Sequence, residues 1–289
     1  MTDQNKSISV RRVPSLTTED VSKLVSNSFI RINSNIICDK NSDFDQKDLI
    51  GCHIDCNCLQ KQLKDLLPQE SNQWSDTCCD CSSDKCGVDS NYDKNGFLIN
   101  WRKPVYECGD NCFCGTTPSL LTQCRNRWTQ RATECLIQLF IDPLKGYSIR
   151  TLNDLKLGQF IVEYCGEVID KIEAKNRFKL YSERNEEHNY ILIFREHFGS
   201  ESSFEIIIDA KQFGNDSRFI NHSCDPNLIA IPVRSDSLRP RICLFAAKDI
   251  DSGSELSYNY GSEESPLSTK SCFCGSDKCK GFMPLDITL

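Results

Sequence analysis

The spacing of cysteine constrains this chain more than any other feature. Nineteen cysteines occur in 289 residues, and eleven of them fall between Cys52 and Cys124. They form the runs Cys52-x3-Cys56-x-Cys58, Cys78-Cys79-x-Cys81-x4-Cys86 and Cys108-x3-Cys112-x-Cys114, with Cys124 closing the set. Thiolates so close in sequence can share one ion or bridge two, with Zn–S bonds of about 2.3 Å. Residues 38–125 have little periodicity and are rich in Cys, Asp, Asn and Ser. Such a segment buries too little apolar surface to fold unaided, so bound metal is expected to supply its folding energy. The odd cysteine total argues against a closed disulfide framework. So does an N-terminus, Met1-Thr2-Asp3-Gln4-Asn5-Lys6, that lacks the apolar core of a secretory signal. A disulfide knot or scattered reduced thiols are the competing readings. Cys38, Cys135, Cys165 and Cys243 stand apart and are read as small buried apolar residues.

Composition narrows the partners. With 39% hydrophobic and 26% charged residues the chain has an ordinary soluble balance, and no apolar run approaches the roughly 18 residues of a membrane span. The formal net charge is −7. It opposes a direct grip on a phosphate backbone, so sequence-specific nucleic-acid binding is not expected. It favours a lysine- and arginine-rich peptide as partner. Solubility alone would explain the acidity equally well.

Beyond the cysteine-rich half, short apolar runs alternate with turn signals. Strands are expected at 135–141, ended by Asp142-Pro143, then at 149–152, 160–164 and 166–169. Further strands are expected at 189–195, 203–208, 227–233 and 240–246. Gly166 marks a bulge or a tight approach. One helix is expected over 171–186, with Ala174, Phe178 and Tyr181 on one face. Many short strands and few helices predict a mostly-β fold with small curved sheets. Residues 1–37, polar with scattered apolar positions, suggest a short packing segment or a loose arm, without a function.

Three runs in the C-terminal half carry chemistry. Arg218-Phe219-Ile220-Asn221-His222-Ser223-Cys224 mixes a cation, an amide, an imidazole and a thiol between apolar anchors. Glu255-Leu256-Ser257-Tyr258-Asn259-Tyr260 follows, and Cys272-x-Cys274-x4-Cys279 lies near the end. Each residue has a plainer reading: Tyr260 as a core tyrosine, His222 as a helix cap, Arg218 as an ion-pair partner, Tyr190 as a sheet residue. In this order and spacing the runs are expected to meet in space, forming a cofactor and lysine site beside a metal knuckle.

These runs resemble those of the SET-domain histone-lysine methyltransferases of the suppressor-of-variegation class. The likeness spans roughly residues 50–289. The stretches 189–197, 231–234 and 244–250 look most like a SET half fused to a transposase. The resemblance implies a pseudoknotted β-clip fold with few short helices. It also implies an organisation of N-terminal segment (1–49), pre-SET zinc cluster (50–125), SET domain (126–263) and post-SET zinc loop (264–289). It further implies S-adenosylmethionine as methyl donor, a histone H3 tail or nucleosome as partner, and a place in the nucleus on chromosomes. Carried over residue by residue, Tyr260, Tyr164 and Tyr258 would line the lysine channel. Asn221 and His222 would hold adenosine, Arg218 and Tyr190 the methionine part, and Lys145-Gly146-Tyr147 the first cofactor loop. Cys224, Cys272, Cys274 and Cys279 would bind one zinc. Three more would be held by nine of the upstream cysteines, drawn from Cys52, Cys56, Cys58, Cys79, Cys81, Cys86, Cys108, Cys112, Cys114 and Cys124.

The chain departs from the family in several places. It has Gly146-Tyr147-Ser148 where Gly-Trp-Gly is usual, Asn259 where Asp is usual, and eleven upstream cysteines in place of nine. In the family, phenylalanine at the position of Tyr258 leaves room for trimethylation. The tyrosine here therefore implies mainly mono- and dimethyl products. The leading expectation is an H3 methyltransferase acting on lysine-9, with lysine-36 and lysine-4 open. A SET-fold chromatin-binding module without turnover and a methyltransferase for a non-histone protein are the rivals.

Overall fold

The computed structural model describes residues 11–12, 30–37, 90–101, 105–110, 112–116, 124–131, 135–184, 190–198, 202–237, 239–261 and 267–284. The upstream candidates Cys52, Cys56, Cys58, Cys79, Cys81 and Cys86, with Cys38 and Cys78, lie outside them.

Short β-branched runs make small sheets that pack around a common centre. Leu136–Asp142 and Gly146–Thr151 form a hairpin, with Arg11–Arg12 added in parallel along Leu136. Gly146 turns that hairpin at φ 77, a left-handed conformation that glycine adopts without cost. A four-stranded sheet runs in the order Val105–Tyr106, Leu228–Arg234, Arg241–Ala246, Phe160–Glu163. A second runs Ile36–Ile37, Glu167–Ile169, Ser202–Asp209, Ile191–Phe198. At Gly166, between the two sheets, a Cβ would stand 2.5 Å from the Asp209 carbonyl oxygen, so the tight approach read from the sequence is real.

The main core lies between these sheets, where Ile149, Leu155, Ile161, Ile208, Ile220, Leu244 and Leu256 are fully buried or nearly so. A second cluster, with Tyr92, Val105, Val233 and Phe245, fastens the end of the cysteine-rich segment to the sheet. Glu107 reinforces that joint. Its carboxylate accepts from the Tyr92 hydroxyl (2.7 Å), from the Thr129 backbone N–H and hydroxyl (both 2.7 Å) and from Gln130 Nε2 (2.9 Å). It also pairs with Arg241 at 3.2 Å. A carboxylate buried this deeply is tolerable only with such a full complement of donors.

The helix Lys171–Glu183 starts at Asp170, whose side chain accepts from the Glu173 N–H. Its expected face differs from the observed one. Ala174 is buried, but Phe178 is 39% exposed and Tyr181 is half-buried. Polar contacts join the Ala174 packing in docking the helix: Arg177 reaches Glu167 (2.8 Å) and Asp209 (2.9 Å), and Tyr181 donates to Asp209 (2.8 Å). No helix among the described residues is long and apolar enough to cross a membrane.

Candidate active site

The run Arg218–Cys224 begins within a four-residue 3-10 turn, Asp216–Phe219, capped by the Asn215 side chain and buried throughout. Asn221–His222 follow as a two-residue strand paired in parallel with Ser257–Tyr258, Asn221 opposite Ser257 and His222 opposite Tyr258. This ladder brings the imidazole and the late tyrosines together. The His222 and Tyr260 rings lie 5.5 Å apart, and those of Tyr258 and Tyr260 4.8 Å.

A cavity of about 820 Å³ opens beside the ladder. Lys145, Gly146, Tyr147, Tyr164, Tyr190, Arg218, Asn221, His222, Tyr258 and Tyr260 all line it. Those residues come from well-separated stretches of chain, so the fold collects every catalytic and cofactor candidate around one cavity. The Arg218 guanidinium lies over the Tyr190 ring at 3.8 Å and donates to the Lys211 carbonyl at 2.9 Å. Phe219 holds the rings of Tyr147 and Tyr190 edge-on at 5.6 and 6.4 Å.

Hydrogen bonds orient the polar groups. Asn221 Nδ2 donates to the Ser148 hydroxyl (2.7 Å) and the Tyr147 carbonyl (3.1 Å). The Glu255 carboxylate receives Lys145 and lies 3.4 Å from Asn221 Nδ2. Glu255 stood inside a quoted run, yet nothing in the sequence signalled its pairing. Ser148, the departure from glycine, is fully buried beneath the cavity wall and braces Asn221. Asn259 Oδ1 accepts the Gly261 N–H at 3.2 Å, a role an aspartate oxygen would fill equally.

Burial lowers the His222 pKa to about 4, and Lys280 adds to the effect. The imidazole is therefore neutral, and its Nδ1 accepts from the Tyr260 N–H at 3.2 Å. Tyr164 donates its hydroxyl proton to the Tyr190 carbonyl (2.9 Å), and Tyr260 donates to the Ile220 carbonyl (2.8 Å). Burial raises the pKa of Tyr164 and Tyr258 well above the usual phenol value. Tyr260 is 37% exposed because it faces the open cavity. The crowding around it still raises its pKa, with Tyr190 and Glu255 contributing.

The tail closes one side of the cavity. Leu267–Ser271 and Phe282–Pro284 form a hairpin, and Lys270, Ser271, Cys272, Phe273, Cys274 and Met283 join the lining. Sequence reading passed over Phe273 and Met283, whose only signal was their neighbourhood to the cysteines. The sulfurs of Cys224, Cys272, Cys274 and Cys279 lie within 4.8 Å of one another, with Cys224 and Cys272 at 3.9 Å. A tetrahedral zinc with bonds of about 2.3 Å requires S···S separations of about 3.8 Å. The four thiols fit that ion. Backbone N–H groups of Lys280 and Gly281 approach the Cys224 and Cys279 sulfurs at 3.4 Å, as thiolate charge requires.

Upstream, the sulfurs of Cys108, Cys114 and Cys124 also converge within 4.8 Å. Cys112 is buried beside them, its sulfur accepting the Gly109 N–H at 3.2 Å. Cys135, Cys165 and Cys243 are buried thiols among the core residues.

Known proteins resemble this chain in sequence and fold. The SET domain family model matches residues 146–261. Mouse histone-lysine N-methyltransferase SETMAR is 40% identical over 220 residues, covering 70% of this chain and 69% of that protein. The crystal structure of the methyltransferase domain of human SETMAR matches with a TM-score of 0.68 at 31% identity, over 89% of this chain and 90% of that one. Arabidopsis SUVH6, solved in complex with SAM, matches with a TM-score of 0.61 at 25% identity, over 88% of this chain and 50% of that one. With its strand-rich fold, its tyrosine-walled cavity and a cysteine cluster on either side, this chain belongs to the SET-domain histone-lysine N-methyltransferases.

Proposed function

We propose that the cavity binds S-adenosylmethionine and directs its methyl group to a lysine of the histone H3 tail. Lysine-9 is the leading position, and lysine-36 and lysine-4 are the alternatives. One observation carries the reading: Arg218, Asn221, His222, Tyr164, Tyr258 and Tyr260, drawn from separate stretches, line a single cavity. Relatives named as histone-lysine methyltransferases and a neighbour solved with SAM support it.

The polar set suits the donor. Asn221 and His222 offer the hydrogen-bonding groups an adenosine needs, and Arg218 offers a guanidinium for a carboxylate. Lys145, Gly146 and Tyr147 form the first cofactor loop, and Tyr190 covers Arg218. S-adenosylmethionine supplies a methyl on a sulfonium, already activated for in-line displacement. The chain's part is alignment and exclusion of water. Tyr164, Tyr258 and Tyr260 wall the lysine channel, where low polarity favours the neutral form of an amine whose free pKa is about 10.4. Because Tyr164 and Tyr260 commit their protons to backbone carbonyls, their oxygen lone pairs stay available to the amine N–H and the polarised methyl. No strong general base is required. The Tyr258 hydroxyl limits the room at the amine, so mono- and dimethyl lysine are the main products.

Around this centre we assign one zinc to Cys224, Cys272, Cys274 and Cys279 and three to the pre-SET cysteines. The boundaries are 50–125 for the pre-SET module, 126–263 for the SET domain and 264–289 for the post-SET loop. Such an enzyme works on nucleosomes in the nucleus. Methyl transfer from labelled S-adenosylmethionine to mixed histones tests the reading against a binding module without turnover. Wild type should label H3, and Tyr260→Phe should lower the rate about tenfold to a hundredfold, the scale of one lost charge-assisted hydrogen bond. Equal rates would remove Tyr260 from the site. Cofactor binding with no labelled protein would favour the binding module, and label on another protein would move the substrate away from histones.

A further inference from the structure

Residues 30–37 read in the sequence only as a packing segment or a loose arm, yet they pair with strands just before Arg218 and just after Tyr164. Ile30–Arg31 pairs in parallel with Phe213–Gly214, and the Ile32 N–H donates to the Gly214 carbonyl at 2.8 Å. Ile36–Ile37 pairs in parallel with Glu167–Val168, and the Ile36 N–H donates to the Gly166 carbonyl at 3.0 Å. Two side chains tie this strap to both walls of the site. Arg31 grips Asp216 with both terminal nitrogens, at 2.6 and 2.9 Å. Asp216, 5% exposed, is the first residue of the 3-10 turn that carries Arg218 and leads into Asn221 and His222. Asn35 holds the other wall: its Oδ1 accepts the Gly166 N–H at 2.8 Å, and its Nδ2 lies 3.2 Å from Glu163 Oε1. Those two contacts bracket Tyr164. The walls meet again at Asn215, whose Nδ2 donates to the Glu163 carbonyl at 2.8 Å.

The wall has little rigidity of its own. A single 3-10 turn and a ladder of two-residue strands contain few internal hydrogen bonds, and such segments open at small cost unless bracketed from outside. A two-pronged guanidinium–carboxylate contact fixes direction as well as distance, which a lysine ammonium cannot do.

We propose that Arg31 and Asn35 are positioning residues: Arg31 sets the cofactor wall through Asp216, and Asn35 sets the lysine wall through the Glu163 carboxylate on one side of Tyr164 and the Gly166 backbone N–H on the other. The inference rests on the cofactor and lysine sites proposed above. It predicts a split that a purely structural strap would not produce. Arg31→Met weakens cofactor binding five- to twentyfold and leaves the peptide KM within twofold. Asn35→Ala raises the peptide KM severalfold and leaves cofactor affinity within twofold.

The test uses the full chain with its zinc. S-adenosylhomocysteine affinity is measured by calorimetry, KM for both substrates by methyl transfer, and melting temperature on the same samples. Arg31→Lys should recover part of the lost cofactor affinity, because one contact returns without the fork. The double variant Arg31→Met/Asp216→Asn leaves no buried charge unpaired and should bind cofactor no more weakly than Arg31→Met. Together these keep the proposal testable if Arg31→Met alone fails to fold. A lower melting temperature with both affinities unchanged overturns it, and so does an equal loss of both affinities in either single variant. Wild type that binds no S-adenosylhomocysteine overturns the cofactor reading itself, and the inference with it.

Discussion

In the proposed site, the Tyr258 hydroxyl sets how many methyls fit. The ring is 4% exposed and lies 4.8 Å from that of Tyr260, so the channel has no slack on that side. Tyr258→Phe removes one oxygen and leaves the packing intact. On an H3 peptide it should shift the product from mono- and dimethyl lysine to mainly trimethyl, read by mass spectrometry. Abundant trimethyl product from wild type would refute the assignment. The neighbouring phenols also fix a pH dependence. Burial of Tyr164 and Tyr258, and the crowding around Tyr260 with Tyr190 and Glu255 nearby, push all three phenols above their ordinary range, so they stay protonated throughout the neutral and mildly alkaline region. The remaining proton on the reaction path belongs to the substrate amine, which must be lost before attack. For the proposed enzyme, log(kcat/KM) for peptide should therefore rise with pH at a slope near one below the amine's pKa of about 10.4. Tyr164→Phe should lower that line without bending it. A descending limb below pH 9 with a folded enzyme would show that one of the phenols ionises early. Ser148 belongs to the same scale. Residue-level resemblance flagged it as a lost glycine, but in the fold the glycine that matters is Gly146, and Ser148 became a brace for Asn221.

Among elements, the helix Lys171–Glu183 tests whether charge or apolar contact docks it. Asp209 is fully buried and Glu167 nearly so, and both lean on Arg177. Removing that cation leaves two carboxylates in a low-dielectric site, a loss that costs roughly 3–5 kcal/mol where a buried pair is broken. Arg177→Met keeps the aliphatic stem and should lower unfolding stability by about that much in urea titration with zinc present. Tyr181→Phe removes one hydrogen bond to Asp209 and should cost only about 1 kcal/mol. Equal, small losses would mean that Ala174 and the surrounding apolar contacts hold the helix. Its docking shows how the sequence was legible and where it failed. Strands such as Arg241–Ala246 and Ser202–Asp209 announce themselves by β-branched runs bounded by turn residues, and their ends were placed within a residue or two. Helical spacing identified the helix but not its partner, so Phe178 was assigned to a face that the fold leaves exposed. Most of the candidates that line the cavity stand out in the sequence because they sit in dense, ordered runs. The strap does not: a two-residue strand has no period, and Arg31 gains its meaning from Asp216, 185 positions away.

For the whole molecule, the question is what keeps the tail over the cavity. The hairpin Leu267–Ser271 with Phe282–Pro284 supplies part of the lining, yet its side-chain tie through Lys278 and Asp225 is exposed and counts for little. Zinc at four thiolates is of another order. Apparent binding energies for structural zinc are about 10–16 kcal/mol in small peptides, against roughly 5–15 kcal/mol for the stability of a whole domain. If Cys224, Cys272, Cys274 and Cys279 share one ion, the metal dominates the docking of the tail, and only Cys224 of the four belongs to the body of the fold. Removing zinc with a strong chelator should therefore speed hydrogen exchange across residues 267–284 by tenfold or more. Under the mildest treatment that strips one zinc, the two sheets that hold Ile208 and Leu244 should stay protected. Cofactor affinity should fall at least tenfold in the same samples, because Phe273 and Met283 leave the wall. Cys224→Ser, measured with the upstream zincs still bound, should reproduce both effects and so separate the tail's metal from the others. Unchanged protection of the tail in that variant would mean that its docking depends on the hairpin and not on the ion.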